Sequence, residues 1–204
     1  TKGGLERPNG DWTVNGRPDH LRSACEASLR SLETDSITWY QLHAEDPQVP
    51  YADTIGELAR LQQEGKIQHV GLSNVGVPEI KIAQGLLNVV SVQNRCNPFD
   101  RNSFLNGTVD YCTAQNIAFL PHSPVGGHRG HTRTPDEPTL NAVGARHGLT
   151  PYQVCIAWLL AYSPVMLPIP GASRIESARS SAAAGQAVLT ASDMAELEKA
   201  FPTR

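Results

Sequence analysis

Short apolar runs that end in polar residues alternate along this chain with stretches of helical periodicity. The runs at residues 37–43, 67–72 and 89–94 are mainly aliphatic or aromatic, and polar groups end or directly follow each of them. Between the runs, apolar residues recur at spacings of three and four, as they do on the buried face of an amphipathic helix. Short strands separated by helices are typical of parallel βα units. The pattern therefore predicts an α/β fold built on a parallel sheet.

The remaining elements follow from the same periodicities. Further strands are predicted at residues 117–120 and 165–169, with a strand stub at Lys2, and loops at residues 3–18 and 121–138. Helices are predicted at about residues 19–32, 53–65, 78–87, 103–116, 139–147, 151–162 and 175–184, and from Ser192 onward. Asp19, Asp53, Thr150 and Ser192 are expected to cap helices, because their side-chain oxygens can accept hydrogen bonds from free backbone N–H groups.

Repeated βα units form either an open doubly wound sheet or a closed barrel. No G-x-G-x-x-G motif follows any predicted strand, which disfavours the open dinucleotide-binding sheet. The TIM-type (β/α)8 barrel that remains typically takes about 250 residues, whereas the chain has 204. We therefore expect one domain over residues 1–204 that forms an incomplete barrel, with about strands 3 to 8 present and about two N-terminal βα units lacking.

Composition excludes some partners. The net charge is −3, which gives no basic surface for nucleic acid, and no apolar run is long enough to span a membrane. No signal-peptide pattern is visible, so a cytoplasmic protein is expected. The cysteines lack metal-binding or disulfide spacing and are expected to be reduced core thiols; they are Cys25, Cys96, Cys112 and Cys155.

Polar residues stand at the ends of three predicted strands. His43 ends the first, Ser73 and Asn74 follow the second, and Gln93 ends the third. Because the C-terminal ends of parallel strands meet at one edge, these side chains are expected to lie together, where barrel enzymes place their chemistry. Taken singly, each also has a structural reading, since Ser and Asn favour turns and a strand-end His or Gln can be a hydrogen-bonded core residue.

A set of short motifs, in this order, makes the chain resemble the aldo-keto reductases, in particular the bacterial-type oxidoreductases. The motifs are TK ending at Lys2, YQLH ending at His43, GLSN ending at Asn74, VQN ending at Asn94, SPVG ending at Gly126 and IPG ending at Gly171. The resemblance covers essentially the whole chain. It implies a (β/α)8 barrel that reduces aldehydes and ketones to alcohols by hydride transfer from NADPH, with NADH as an alternative.

The resemblance also implies catalytic residues. The family uses an Asp, Tyr, Lys and His tetrad, of which the lysine corresponds to Lys2 and the histidine to His43. The Asp and Tyr belong to an earlier part of the barrel. Hydride addition develops negative charge on the carbonyl oxygen, so a proton donor must be within hydrogen-bond reach. A neighbouring ammonium makes a tyrosine a better donor, and a histidine can donate to the oxyanion.

Cofactor-binding residues follow from the same resemblance. Ser73, Asn74 and Gln93 would bind the nicotinamide carboxamide, and His122 would stack on the nicotinamide ring. Val125 and Gly126 would contact the pyrophosphate region, and Ser123 is a further cofactor-binding residue. Gly171, Ser173 and Arg174 would hold the adenosine phosphate. Independently of the resemblance, Arg179 is a candidate to bind a 2′-phosphate. The Glu-Asn pair that the family often uses against adenine is replaced by Arg179-Ser180-Ser181.

Two other functions stay open. The chain could be a non-catalytic module that binds a nucleotide or a partner, since the carboxamide-binding residues are retained without the Asp and Tyr. It could also be a Schiff-base enzyme with Lys2 as nucleophile, although an almost N-terminal lysine is not expected to be desolvated. A metal site at His122, His128 and His131 is disfavoured by the Gly-rich loop around them. We expect the chain either to associate with another copy across the missing barrel segment or to be supplied with that segment, and Trp12 is a candidate lining residue of a substrate pocket.

Overall fold

The computed structural model describes residues 1–203, apart from the side chain at position 129, and divides them into two compact units that meet between Gln93 and Asn94. The strands β1 to β7 are Lys2–Gly3, Leu5–Glu6, Thr13–Val14, Ile37–Leu42, Ile67–Ser73, Val89–Gln93 and Ala118–Phe119. The helices α1 to α10 are Pro18–Leu32, Tyr51–Gln63, Val77–Gln84, Asn102–Leu105, Thr108–Ala114, Gly127–Gly130, Pro138–His147, Pro151–Tyr162, Ile175–Ala183 and Ala191–Ala200. Short 3-10 turns lie at Pro8–Gly10, His131–Asp136 and Ala184–Gln186.

The first unit is built on parallel strands in the order β1, β4, β5, β6. Helix α1 contacts β1, α2 contacts β5 and α3 contacts β6, so the helices cover one face of the sheet. The predicted alternation of strands and helices is therefore confirmed here, including the strand stub at Lys2. The predicted loop at residues 3–18 also contains a small antiparallel pair formed by β2 and β3.

Two predicted helix caps in this unit are wrong. Helix α1 begins at Pro18, and Asp19 lies inside its first turn, where its carboxylate pairs with Arg17 at 3.3 Å. Helix α2 begins at Tyr51 after Pro50, and Asp53 is likewise a first-turn residue. Proline is well suited to the start of a helix, because its fixed φ is helical and its missing N–H is not needed there. The acidic side chains then face the positive end of the helix dipole.

The second unit contains β7 and seven of the α-helices, α4 to α10. Its core includes an aromatic cluster in which the Phe104 ring lies 5.4 Å from Trp158 and 4.4 Å from Tyr162. The helix predicted at residues 103–116 is interrupted at Gly107, whose φ of 76° is left-handed, so α4 and α5 replace it. The strand predicted at residues 165–169 is wrong, because only isolated bridges from Met166 and Ile169 are formed there.

Other boundaries in the second unit are partly as predicted. Thr150 caps α8 by accepting from the backbone of Gln153, which confirms the prediction. The cap of α10 is Thr190 and not Ser192, because Thr190 and Asp193 exchange hydrogen bonds as a capping box. The predicted loop at residues 121–138 contains α6 and a 3-10 turn. The predicted position of the cysteines is confirmed, since all four are buried with free thiols.

An ion-pair cluster connects α1 and α2 to the residues just before β5. Arg22 donates to Glu64 through both terminal nitrogens at 2.7 Å, and also pairs with the buried Glu57 at 2.7 Å. Lys66 pairs with Glu26 at 2.7 Å and with Glu64 at 3.2 Å. The hydrogen bond from Arg22 holds the pKa of Glu64 at about 2, below its usual 4.5.

We predict that this cluster makes stability depend on pH below neutrality. A lowered folded pKa contributes stability that is present above about 4.5 and is lost as the pH falls toward about 2. The Arg22→Gln variant should therefore have a lower urea midpoint than wild type at neutral pH, and the difference should shrink through that window. An equal difference across the whole window would contradict the assignment, and Lys199→Gln, an exposed change near the end of α10, is the control.

Candidate active site

Polar and apolar rows alternate across the parallel strands of the first unit. Lys2 pairs in register with Gln41, Gln41 with Gly71, and Gly71 with Ser91. The next row is apolar and contains Leu42, Leu72 and Val92, all fully buried. Because successive side chains of a strand point to opposite faces, the polar row lies on the face opposite the apolar one. One face of the sheet therefore presents polar groups.

Ser91 is the common hydrogen-bond partner of the polar row. Its Oγ accepts from Trp39 Nε1 at 3.0 Å and from Gln41 Nε2 at 3.4 Å. Gly71 makes this contact possible, because a Cβ at that position would collide with Ser91 Oγ and lie 2.9 Å from Trp39 Nε1. A side chain at position 71 would therefore occupy the space where three strands exchange polar contacts.

We predict that Gly71→Ala destabilises the fold by about 1–3 kcal/mol, the usual cost of overpacking. The nearest atom to the added methyl is Ser91 Oγ, so Ser91→Ala in the same background should recover part of the loss. Gly56→Ala is the matched control, because that glycine lies inside α2 with open space around it, and it should stabilise by about 0.5–1 kcal/mol. Urea unfolding measures all three; a neutral Gly71→Ala would refute the crowding argument.

The ends of β5 and β6 are tied together by hydrogen bonds to one carbonyl. The Gln93 carbonyl accepts from Ser73 Oγ at 2.7 Å and from the Asn74 backbone N–H at 3.1 Å. Asn74 has a left-handed φ of 58°, which Asn tolerates better than most residues. In this conformation its Nδ2 donates to the His43 carbonyl at 3.0 Å. The expected grouping of strand-end residues is thus observed for His43, Ser73, Asn74 and Gln93.

Lys2 joins this group from β1. Its Nζ donates to Gln93 Oε1. The side chain is half-buried, and burial lowers the pKa of the Lys2 ammonium. Lys2 is therefore partly withdrawn from solvent, and its role as a Schiff-base nucleophile stays an alternative. Since Gln93 Oε1 accepts from the Lys2 ammonium, the amide nitrogen Nε2 of Gln93 can donate to a ligand.

His43 lies beside Trp12 at the same strand ends. The His43 backbone N–H donates to the Gly3 carbonyl at 2.8 Å, and this bond fixes the end of β4 against β1. The Trp12 ring meets the imidazole edge-on, with centroids 5.8 Å apart. Burial raises the pKa of Tyr40 and of Tyr51, so neither phenol is suited to give up a proton.

The predicted pyrophosphate residues lie in the loop after β7, within the second unit. Ser123 has a left-handed φ of 55° and accepts from Asn97 Nδ2 at 3.0 Å through its carbonyl, while its Oγ lies 3.2 Å from His122 Nδ1. Gly126, with φ 99°, could not carry a side chain without meeting the backbone of Gly130. The Val125 carbonyl accepts from Thr134 Oγ1 at 3.0 Å.

Arg95 holds this loop in place. Its Nη2 donates to the Gly126 carbonyl at 3.0 Å, and its Nε pairs with Asp100 at 3.2 Å. Sequence reasoning missed Arg95 and Asn97 because neither stands in a recognised motif. It also missed Ser91, although the two-residue spacing from Gln93 places both side chains on one face of β6.

The predicted adenosine-phosphate residues surround the start of α9. Gly171, Ser173 and Arg174 are exposed, and Arg174 is the residue directly before the helix. Arg179 is exposed within α9. The first N–H groups of a helix lack intrahelical partners and favour anions. The arrangement combines free backbone donors with the guanidinium of Arg174 at the start of the helix.

The described residues offer neither of two other kinds of site. Within residues 1–203, no group of three or more His, Cys, Asp or Glu side chains is placed to hold a metal ion. None of the described helices is long and apolar enough to cross a membrane.

Comparisons with known proteins place this geometry in a family. The model of the Aldo/keto reductase family matches residues 1–201, so the chain belongs to that family of oxidoreductases. An uncharacterized oxidoreductase of Schizosaccharomyces pombe is 38% identical over 201 residues, which are 98% of this chain. The chain spans only 64% of the length of that relative.

Solved structures give the same result for the fold. A thermostable aldo-keto reductase in complex with the inhibitor epalrestat is 28% identical, with a TM-score of 0.83 over 90% of this chain and 67% of that one. An aldo-keto reductase from Klebsiella pneumoniae in complex with NADPH is 26% identical, with a TM-score of 0.79 over 90% of this chain and 65% of that one. The resemblance and the TIM-type α/β fold are confirmed. The single domain and the incomplete barrel stay predictions.

Proposed function

We propose that the chain carries the nicotinamide-binding part of an NAD(P)H-dependent reductase that converts aldehydes and ketones to alcohols. The observation that carries the proposal is the strand-end group of Ser73, Asn74 and Gln93, held by hydrogen bonds to the Gln93 carbonyl at 2.7 Å and 3.1 Å. Family membership and the NADPH complex of a related structure support the choice of cofactor. NADH is the alternative hydride donor.

The strand-end group suits a carboxamide. A carboxamide needs both donors and acceptors, and amide or hydroxyl side chains supply both. In this proposal Gln93 donates through Nε2 to the carboxamide oxygen, because its Oε1 faces Lys2. Ser73 and Asn74 complete the contacts. Fixing the carboxamide fixes which face of the nicotinamide ring is turned toward the substrate.

Lys2 and His43 are the proposed catalytic residues of this chain. Negative charge develops on the carbonyl oxygen during hydride addition, and a nearby ammonium stabilises that charge or the ionised form of a proton donor. The partial burial of Lys2 strengthens its electrostatic effect, because less solvent screens it. His43, at the fixed end of β4, would orient the carbonyl. The Asp and Tyr of the family's tetrad would come from the part of the relatives that this chain does not match.

The second unit supplies the proposed phosphate contacts. The turn from Ser123 to Gly126 would bind the pyrophosphate, and His122 would stack on the nicotinamide. Gly171, Ser173 and Arg174 would hold the adenosine phosphate. Arg174 and Arg179 together favour NADPH over NADH, because guanidinium groups match the geometry and charge of a 2′-phosphate.

A non-catalytic nucleotide-binding module is the second candidate. The observation in its favour is that Ser73, Asn74 and Gln93, the residues proposed to hold the carboxamide, form their hydrogen-bonded group within this chain. Self-association, for example through the free edge of β1, would suit either function and stays a prediction.

We predict that this chain, when combined with the Asp and Tyr of the family's tetrad, oxidises NADPH in the presence of benzaldehyde, and that Lys2→Met lowers kcat by about 10²–10⁴-fold, the usual contribution of a group that assists proton transfer. The absorbance of NADPH follows the reaction. Lys199→Met, an exposed change near the end of α10, is the control and should leave kcat unaltered.

The possible results separate the two candidates. Turnover that depends on Lys2 supports the reductase. NADPH binding without turnover, seen as quenching of tryptophan fluorescence, favours the non-catalytic module. A folded protein that neither binds nor oxidises NADPH refutes both.

A further inference from the structure

An exposed tryptophan stands beside the candidate catalytic histidine. Trp12 is 63% exposed, and its ring meets His43 edge-on at 5.8 Å. Large aromatic side chains lose much of their favourable burial when they stay in water. The ring therefore presents an apolar surface at the strand ends where the proposed function places the substrate carbonyl.

The segment that carries Trp12 is held at several points. Strands β2 and β3 pair on either side of it, and Asn15 N–H donates to the Gly4 carbonyl at 3.0 Å. Gly16 N–H donates to the buried Asp46 carboxylate at 2.9 Å, and Thr54 Oγ1 donates to the Gly16 carbonyl at 2.8 Å. These contacts anchor the base of the segment to the β4–α2 connection, so the position of Trp12 beside His43 is built into the fold.

Arg7 covers the Trp12 ring with a positive charge. Its guanidinium carbon lies 4.6 Å from the ring centroid, a cation–π distance. Nε and Nη2 donate to the Gly10 carbonyl at 3.2 Å and 2.9 Å. A guanidinium has five N–H donors, so the contact with Gly10 fixes the group and leaves donors for a ligand.

The charge of Arg7 is not neutralised by a nearby carboxylate. In the described part of the chain, no Asp or Glu oxygen lies within ion-pair distance of it. The adjacent Glu6 is directed instead to Asn15 at 3.3 Å and to His20 at 3.7 Å. A fixed cation stacked on an aromatic ring beside the reaction centre is the arrangement that binds a planar anion.

We propose that Arg7, seated on Trp12, binds a carboxylate carried by the substrate, so that the protein prefers carbonyl compounds bearing an acidic group. This inference rests on the proposed reductase function. The Arg7 guanidinium carbon lies 4.6 Å from the Trp12 ring centroid, which lies 5.8 Å from the His43 ring centroid. The guanidinium is therefore within about 10 Å of the His43 ring. A small oxo acid, in which one planar group separates the carbonyl from the carboxylate, would extend between the two, with its apolar part against Trp12.

The test compares 4-carboxybenzaldehyde with its methyl ester, which keeps the ring and aldehyde but lacks the charge. Arg7→Gln should raise KM for the acid about five- to tenfold, the effect of losing one charge-assisted contact, and leave KM for the ester and kcat for both unaltered. Arg7→Lys, which keeps the charge without the planar fork, should recover only part of the affinity. Arg30→Gln is the control. Equal effects on acid and ester, or no effect on either, would overturn the proposal.

A ligand-binding experiment tests this inference separately from the proposed function. Benzoate should quench tryptophan fluorescence more strongly than benzamide, and Arg7→Gln or Trp12→Phe should abolish that difference. If the protein reduces neither aldehyde but benzoate still binds through Arg7, the reductase proposal fails and the anion site stands. If benzoate binding is the same with and without Arg7, the anion site is refuted whatever the activity.

Discussion

The carbonyl of Gln93 is the point on which the strand ends of the first unit depend. It accepts from Ser73 Oγ and from the Asn74 backbone N–H, at 2.7 Å and 3.1 Å. The second bond requires the chain to turn sharply after β5, which accounts for the left-handed φ of 58° at Asn74. This turn also directs the side-chain amide of Asn74 at the His43 carbonyl. One acceptor thus sets the relative positions of three strand ends, and with them the side chains proposed to hold the nicotinamide.

Farther from the strand ends, the missing side chain of Gly71 matters to the sheet as much as a hydrogen bond does. Gly71 leaves room for Trp39 and Gln41 to reach Ser91 Oγ at 3.0 Å and 3.4 Å. Buried polar groups without partners cost free energy, so a polar face of a sheet is stable only when its members satisfy each other. The fully buried Leu42, Leu72 and Val92 on the opposite face supply the hydrophobic stabilisation that such a face cannot. The apolar face therefore stabilises the sheet, and the polar face of the same strands carries residues of the proposed site.

Sequence alone predicted the strands of the first unit and the polar residues at their ends, because apolar runs with β-branched residues and their polar termini are local signals. It failed where the deciding contact is distant or where two local signals compete. Helix α1 starts at Pro18 and helix α2 directly follows Pro50, so Asp19 and Asp53 lie inside the first turns and cap neither helix. Thr190 caps α10 in place of Ser192, because Asp193 returns its hydrogen bond. Residues 165–169 have strand composition but form only isolated bridges. No local sequence pattern indicated the roles of Arg7 and Arg95. These roles depend on the Trp12 ring and on the Gly126 carbonyl, which come near only in the folded chain.

The central claim is that the strand-end group binds the nicotinamide carboxamide, and one pair of affinities tests it directly. NADPH and 2′-phospho-ADP-ribose share the phosphates and adenosine, but only NADPH carries the nicotinamide. Asn74→Gly keeps the left-handed turn, because glycine adopts it freely, and removes only the amide. The account predicts that this variant weakens NADPH binding about tenfold, the equivalent of about 1.4 kcal/mol, and leaves the affinity for 2′-phospho-ADP-ribose unaltered. Equal losses for both ligands, or no loss for NADPH, would contradict it.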